Sequence, residues 1–195
     1  MTQYFDKQPD VPSHKQKIVF HVRGRTYSLW TDSGVFSKRG LDFGTRLLIE
    51  SAELQNARNA LDLGCGYGPV VAVLADLFPE VRWLAVDVNE RAVELAKENT
   101  SHLAQVHCKV SDGYAEISSE TFDAILLNPP IRAGKKVVYS LFENSLHHLS
   151  NHGILWVVMA KKQGMESAEK FLKNLFRSVI RVAHDGGYTV LSCQK

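Results

Sequence analysis

From residue 59 onward the chain alternates short apolar runs with amphipathic stretches, and this alternation limits the available folds more than any other feature. NALDLG, VRWLAVD, QVHCKV, FDAILL and GILWVVMA read as strands, whereas GPVVAVLADLF, NERAVELAKEN, KKVVYSLFENSLHHL and MESAEKFLKNLF read as helices. Strand–helix–strand units return the chain by right-handed crossovers, so the expected product is a parallel sheet with helices on both faces. SVIRVA and YTVLSC flank His184-Asp185-Gly186-Gly187, a turn sequence, so the last strand is expected to return antiparallel. Upstream, KIVFHV and TYSLW on either side of Arg23-Gly24-Arg25 predict a short hairpin, and a glycine-punctuated loop follows, entering a helix from about Thr45.

With 195 residues, the chain fits one domain: a hairpin and loop extension over 1–44 and a core over 45–195. The polar N-terminus has no apolar signal region and no stretch approaches a membrane span, so a soluble, cytoplasmic protein is expected. Three unpaired cysteines, Cys65, Cys108 and Cys193, suit a reducing compartment. His102, His107, Cys108 and the His147-His148 pair lack metal-ligand spacing, and no metal is expected. Met165, Ala168, Phe171, Leu172 and Leu175 form a core-facing stripe on the last helix, not a membrane or partner face. Charge is uneven: residues 59–130 carry four Lys/Arg against eleven Asp/Glu, and 131–195 carry ten against four. An acidic centre suits a cationic ligand, and basic flanks suit an anionic partner.

Ligands of open α/β sheets sit beyond the carboxyl ends of the strands, at the switch point beside the first strand. LDLGCGYGP places Gly64, Gly66 and Gly68 there, with Cys65 between the first two, and glycine permits both the turn and close backbone approach. A dinucleotide fingerprint would require a third glycine at position 69, where the chain has Pro69. Asp87 closes the next strand, where a carboxylate accepts from ribose hydroxyls, with Val88 following it. Asp112 and Gly113, after the third strand, offer an acceptor for an adenine amino group. FDAILL ends in Asn128-Pro129-Pro130-Ile131, where two prolines forbid continuation of strand or helix.

Taken together, these residues resemble the class I S-adenosylmethionine-dependent methyltransferases, over roughly residues 30–195. Asp62, Gly64, Gly66 and Gly68 match that family's [E/D]-x-G-x-G-x-G signature. The resemblance implies a Rossmann-like, doubly wound seven-stranded sheet, mostly parallel with an antiparallel C-terminal hairpin strand, and S-adenosylmethionine as cofactor. It assigns Asp62, Gly64, Cys65, Gly66, Gly68, Asp87, Val88, Asp112, Gly113 and Phe36 to the cofactor. Members acting on planar amino groups carry Asn/Asp-Pro-Pro at the end of the fourth strand. By that resemblance Asn128, Pro129, Pro130 and Ile131 are catalytic, the Asn128 amide oxygen and Pro129 carbonyl accepting the two amine N–H groups.

GVFSKRGLDFGTRLL, NPPIRAGKK and AKKQGMESAEKFL further resemble the RsmC-type ribosomal RNA guanine-N2 methyltransferases. That implies an RNA partner, in which Arg132, Lys135, Lys136, Lys38 and Arg39 meet phosphate. Two departures are read: residues 1–195 are expected to have no counterpart of the preceding degenerate methyltransferase-like domain of the best-known members, and Ile131 stands where those members have an aromatic residue. Ile131 is then expected to pack on the target base, helped by Phe36, Tyr67 or Tyr139. The same logic also permits adenine N6 or a protein glutamine amide as acceptor. A non-catalytic RNA-binding module with this fold would carry an eroded glycine loop or Asn-Pro-Pro, and neither is eroded.

Overall fold

The computed structural model describes residues 11–37, 40–117 and 119–195. Strands β1 (Gln16–Val22) and β2 (Arg25–Thr31) form an antiparallel hairpin, followed by helix α1 (Phe43–Ser51). Alternation then builds β3 (Asn59–Leu63), α2 (Pro69–Leu77), β4 (Arg82–Asp87), α3 (Glu90–Asn99), β5 (Val106–Val110), β6 (Phe122–Leu127), α4 (Lys135–His148), β7 (Leu149–Ala160) and α5 (Met165–Leu175). The chain closes with β8 (Ser178–Asp185) and β9 (Tyr188–Gln194). Seven strands form one sheet in the order β5-β4-β3-β6-β7-β9-β8. β3 to β7 are mutually parallel, and β9 lies antiparallel between β7 and β8. This is the Rossmann-like sheet expected of the sequence, with the N-terminal hairpin as a separate two-stranded sheet. Among the described residues no helix is long and apolar enough to cross a membrane.

The chain runs outward from β3 through β4 to β5, then crosses back to β6 beside β3, so β3 and β6 border the switch point. Both strands are nearly continuous apolar runs because helices cover both faces. One face packs α1, α2, α3 and the hairpin through residues such as Phe20, Leu48, Val71 and Ala96. The other packs α4 and α5 through Val138, Phe142, Ala168 and Leu172. Asn99, at the end of α3, ties the hairpin to the core: its amide exchanges hydrogen bonds with the Trp30 backbone (2.7 and 2.8 Å) and donates to the Tyr67 carbonyl (2.8 Å).

Two boundaries differ from the sequence reading. Helix α1 begins at Phe43 rather than Thr45, because the Asp42 side chain accepts from the Thr45 N–H (3.0 Å) and caps the helix. Strand β7 begins at Leu149 rather than Gly153. Leu149 pairs with Phe122 and Ile154 with Ala124, so residues 150–153 bulge opposite Asp123, whose carboxylate accepts from Ser150 Oγ (2.7 Å) and the Arg58 N–H (2.9 Å). A polar Ser-Asn-His segment carries no alternation from which such a strand start is legible.

Candidate functional site

A cavity of about 740 Å³ opens at the carboxyl ends of β3, β4 and β6. Its floor is the loop after β3. There the Gly64 and Cys65 N–H groups donate to the Val86 carbonyl (2.8 and 2.9 Å), which folds the loop back over β4. Gly64 and Gly66 have φ of 76° and 56°, and a Cβ at either would meet nothing within 4 Å. The loop therefore leaves a backbone-walled space that side chains would narrow. Asp87 holds the loop's other end, accepting from the Gly66 N–H (2.8 Å) and the Asn89 N–H (2.9 Å). Burial raises the Asp87 carboxyl above its ordinary range against these hydrogen bonds. Beneath the loop Asp62 is buried, receives the Val71 N–H (3.2 Å), and is pushed up to about 7, mainly by burial. Burial also pushes the Cys65 thiol up, so it is a weakly acidic lining group.

The rim comes from distant segments. Asn89 Nδ2 donates to the Gly34 carbonyl (2.9 Å) and Arg91 Nη1 to the Ser33 carbonyl (2.7 Å), which places Phe36 over the cavity. Val88, Asp112 and Gly113 line the β4–β5 side. Asn128, Pro129, Pro130, Ile131 and Arg132 line the β6 side. The two prolines lead into a short 3₁₀ turn, Ile131–Ala133, in which the Ile131 N–H donates to the Pro129 carbonyl (2.9 Å). Asn128 Nδ2 donates to Thr45 Oγ1 (3.0 Å) and to Asp42 Oδ2 (3.3 Å). A carboxylate only accepts, so the amide nitrogen must face Asp42 and the amide oxygen must face away. Among the described residues nothing donates to that oxygen. A glycine-walled floor, a carboxylate at the end of β4 and an apolar rim fit S-adenosylmethionine, with Asp87, Gly64, Gly66, Val88 and Asp112 as the residues that would hold it.

The methyltransferase small domain family model matches residues 26–192. The chain belongs to this family. Among its relatives, the uncharacterized protein YbxB of Bacillus subtilis (strain 168) is 45% identical over 98% of both chains. The ribosomal RNA small subunit methyltransferase C of Buchnera aphidicola subsp. Baizongia pistaciae (strain Bp) is 35% identical over 67% of this chain and 42% of its own. The ribosomal RNA large subunit methyltransferase G of Pseudomonas putida (strain GB-1) is 30% identical over 90% of this chain and 48% of its own. Among solved structures, a T. thermophilus 16S rRNA N2 methyltransferase (RsmC), in complex with AdoMet and guanosine, superposes with a TM-score of 0.82 at 23% identity. That match covers 96% of this chain and 52% of the other, and it shows the shared fold. The chain spans about half the length of these rRNA methyltransferases.

In this methyltransferase small domain chain, several expected site residues stand elsewhere. Gly68 does not line the cavity: at φ 84° it caps α2, and a Cβ there would lie 3.1 Å from the Ala96 Cβ, so its role is close helix packing. Lys135 and Lys136 do not line the cavity, although Val137 beside them does; Lys135 Nζ donates to Ser167 Oγ (3.3 Å) and sits over the Tyr139 ring. Tyr139 packs on Phe171 (ring centroids 4.2 Å apart) instead of facing the cavity. Lys38 and Arg39 fall outside the described residues. Conversely, Asp42, Thr45, Gln163 and Tyr188 line the cavity without having been singled out in the sequence. Tyr188 starts β9, so the antiparallel return carries its ring to the carboxyl edge, where it packs against Phe43 (5.6 Å). The turn before it, Asp185-Gly186-Gly187, was the only available signal.

Proposed function

We propose that this methyltransferase transfers a methyl group from S-adenosylmethionine to N2 of a guanine in small-subunit ribosomal RNA. The observation that carries the reading is the orientation of Asn128. Its amide nitrogen is held by Asp42 and Thr45, and its oxygen is left to the cavity. An exocyclic amine conjugated to a base is a poor nucleophile, and an acceptor held against one of its N–H groups orients it and stabilises the positive charge that develops during transfer. When bound, S-adenosylmethionine supplies an electrophilic methyl on a sulfonium. Pro129 and Pro130 restrict the acceptor loop, and Ile131 gives the base an apolar surface. The N–CH3 bond forms as the methyl–sulfur bond breaks, the neutral thioether is the leaving group, and the methylated amine then loses one of its two original protons.

The relatives that act on rRNA support an RNA substrate, and they include enzymes of both subunits. The test is incubation of undermethylated small and large ribosomal subunits with labelled S-adenosylmethionine, followed by nucleoside analysis and mapping. The expected product is N2-methylguanosine in the small subunit. Asn128→Ala should lower single-turnover transfer by about 100-fold or more, with cofactor affinity near wild type. Label only in N6-methyladenosine or in protein rejects the guanine reading.

A further inference from the structure

We propose that Asp42 is the specificity-determining residue that makes the target a guanine, its Oδ1 receiving the guanine N1–H while Asn128 Oδ1 receives an N2–H. This inference rests on the guanine-N2 reading above. Asp42 Oδ2 is occupied three times, by the Thr45 N–H (3.0 Å), Thr45 Oγ1 (3.3 Å) and Asn128 Nδ2 (3.3 Å). Among the described residues nothing donates to Oδ1, although the residue lines the cavity beside Asn128. The Pro129 carbonyl gives one of its two lone pairs to the Ile131 N–H, while Asn128 Oδ1 and Asp42 Oδ1, joined through the Asn128 Nδ2–Asp42 Oδ2 hydrogen bond, are side-chain acceptors that receive no donor from the described residues. The phenols of Tyr67 and Tyr188 are raised by burial and, next, by the Asp42 charge, which places that carboxylate on the side of the cavity where Tyr188 lies.

Two adjacent acceptors select the pattern of the partner. The Watson–Crick edge of guanine presents two donors in a row, N1–H and N2–H. Adenine presents its amine beside the bare N1 acceptor, and a glutamine amide presents its amine beside a carbonyl. A carboxylate accepts only, so either of these would set lone pair against lone pair at Oδ1, while guanine gains a charge-assisted hydrogen bond. A site built to bond a substrate N–H rejects the analogue lacking it far more strongly than a shape difference would.

The probe is 2-aminopurine, which keeps the amine of guanine and has a bare N1. Small subunits reconstituted with guanine or 2-aminopurine at the mapped target position are methylated by wild type and by Asp42→Asn. Wild type should favour guanine by about 100-fold or more in kcat/KM. Asparagine caps a helix as well as aspartate does, so the variant keeps α1 and turns its NH2 toward N1 of the analogue. Its preference should shrink to within about tenfold, chiefly through faster reaction of 2-aminopurine. If Asp42 serves only as a cap, both substrates fall together and the ratio is unchanged, which overturns the proposal. Wild-type turnover of both substrates within a few-fold overturns it without any variant and leaves the guanine-N2 reading standing. Turnover of neither, with S-adenosylmethionine bound, overturns that reading and this one together.

Discussion

Asp62, next to last in β3, and Asp87, last in β4, border one crevice, yet their surroundings ask different things of them. Asp87 lines the cavity and accepts from the Gly66 and Asn89 N–H groups, so Asp87→Ala should loosen the glycine loop and, on the proposal that this carboxylate receives the ribose hydroxyls, remove their acceptors. Calorimetry with S-adenosylmethionine should show a loss of about 1.5 to 3 kcal/mol, tenfold or more in affinity; unchanged affinity would remove Asp87 from the cofactor site. Asp62 is buried at the cavity floor with one backbone donor, and burial pushes its carboxyl up to about 7 from its ordinary 3.8. The fold thus favours the protonated acid: that contribution is complete below about pH 3.8 and is lost as pH rises through about 7. Asp62→Asn, which does not ionise, should gain stability relative to wild type between pH 4 and 8, by up to a few kcal/mol. Thermal melts of both proteins across that range check it, and a pH-independent difference would count against the buried-acid account.

At the scale of elements, the three glycines after β3 divide into two kinds. A Cβ at Gly64 would enter open space on the cavity wall, whereas one at Gly68 would press on α3. Both have positive φ, so each alanine costs about 1 to 2 kcal/mol in backbone strain, but the further effects separate. Gly68→Ala should lower Tm more, with cofactor affinity of the folded protein little changed. Gly64→Ala should weaken S-adenosylmethionine binding several-fold with a smaller Tm loss. Equal effects of the two on affinity would mean that Gly68 reaches the cofactor after all. Helix α1 shows the same division of labour: its start, capped by Asp42, fixes Asn128, and its end is held by Arg23, which donates to the Ile49 carbonyl (3.0 Å) and to the Ala52 carbonyl.

Across the whole molecule, the charge split is spent partly on assembly. Basic residues of the N-terminal segment pair with acids of the middle: Lys15 with Glu98, and Arg25 with Asp76 (2.7 Å). These exposed pairs contribute little stability each but tether the hairpin to α2 and α3. Arg132 lines the cavity and has no acidic partner among the described residues. If it meets a phosphate, Arg132→Ala should weaken RNA binding and reduce the log–log salt slope by about 0.7 to 0.9. An unchanged slope in filter binding across a salt series would place the phosphates elsewhere.

Much of this fold is written locally. Strand and helix periods, the turn at Gly186-Gly187 and the proline stop after β6 depend on neighbouring residues, so the sheet and the cavity edge were legible in the chain. The same holds for Gly64, Gly66, Asp87 and Asn128, which sit at strand ends that the alternation alone places together. Side-chain direction was not legible. Lys135 and Gly68 lie close in sequence to cavity residues and point elsewhere, because helix phase and helix–helix contact set where they face. Asp42 and Tyr188 are 146 positions apart and meet at one rim because an antiparallel strand returns to the carboxyl edge of a parallel sheet. Which atom of Asn128 faces the cavity followed from a carboxylate 86 residues upstream. Contacts of that kind obey no sequence period, and only the assembled sheet decides them.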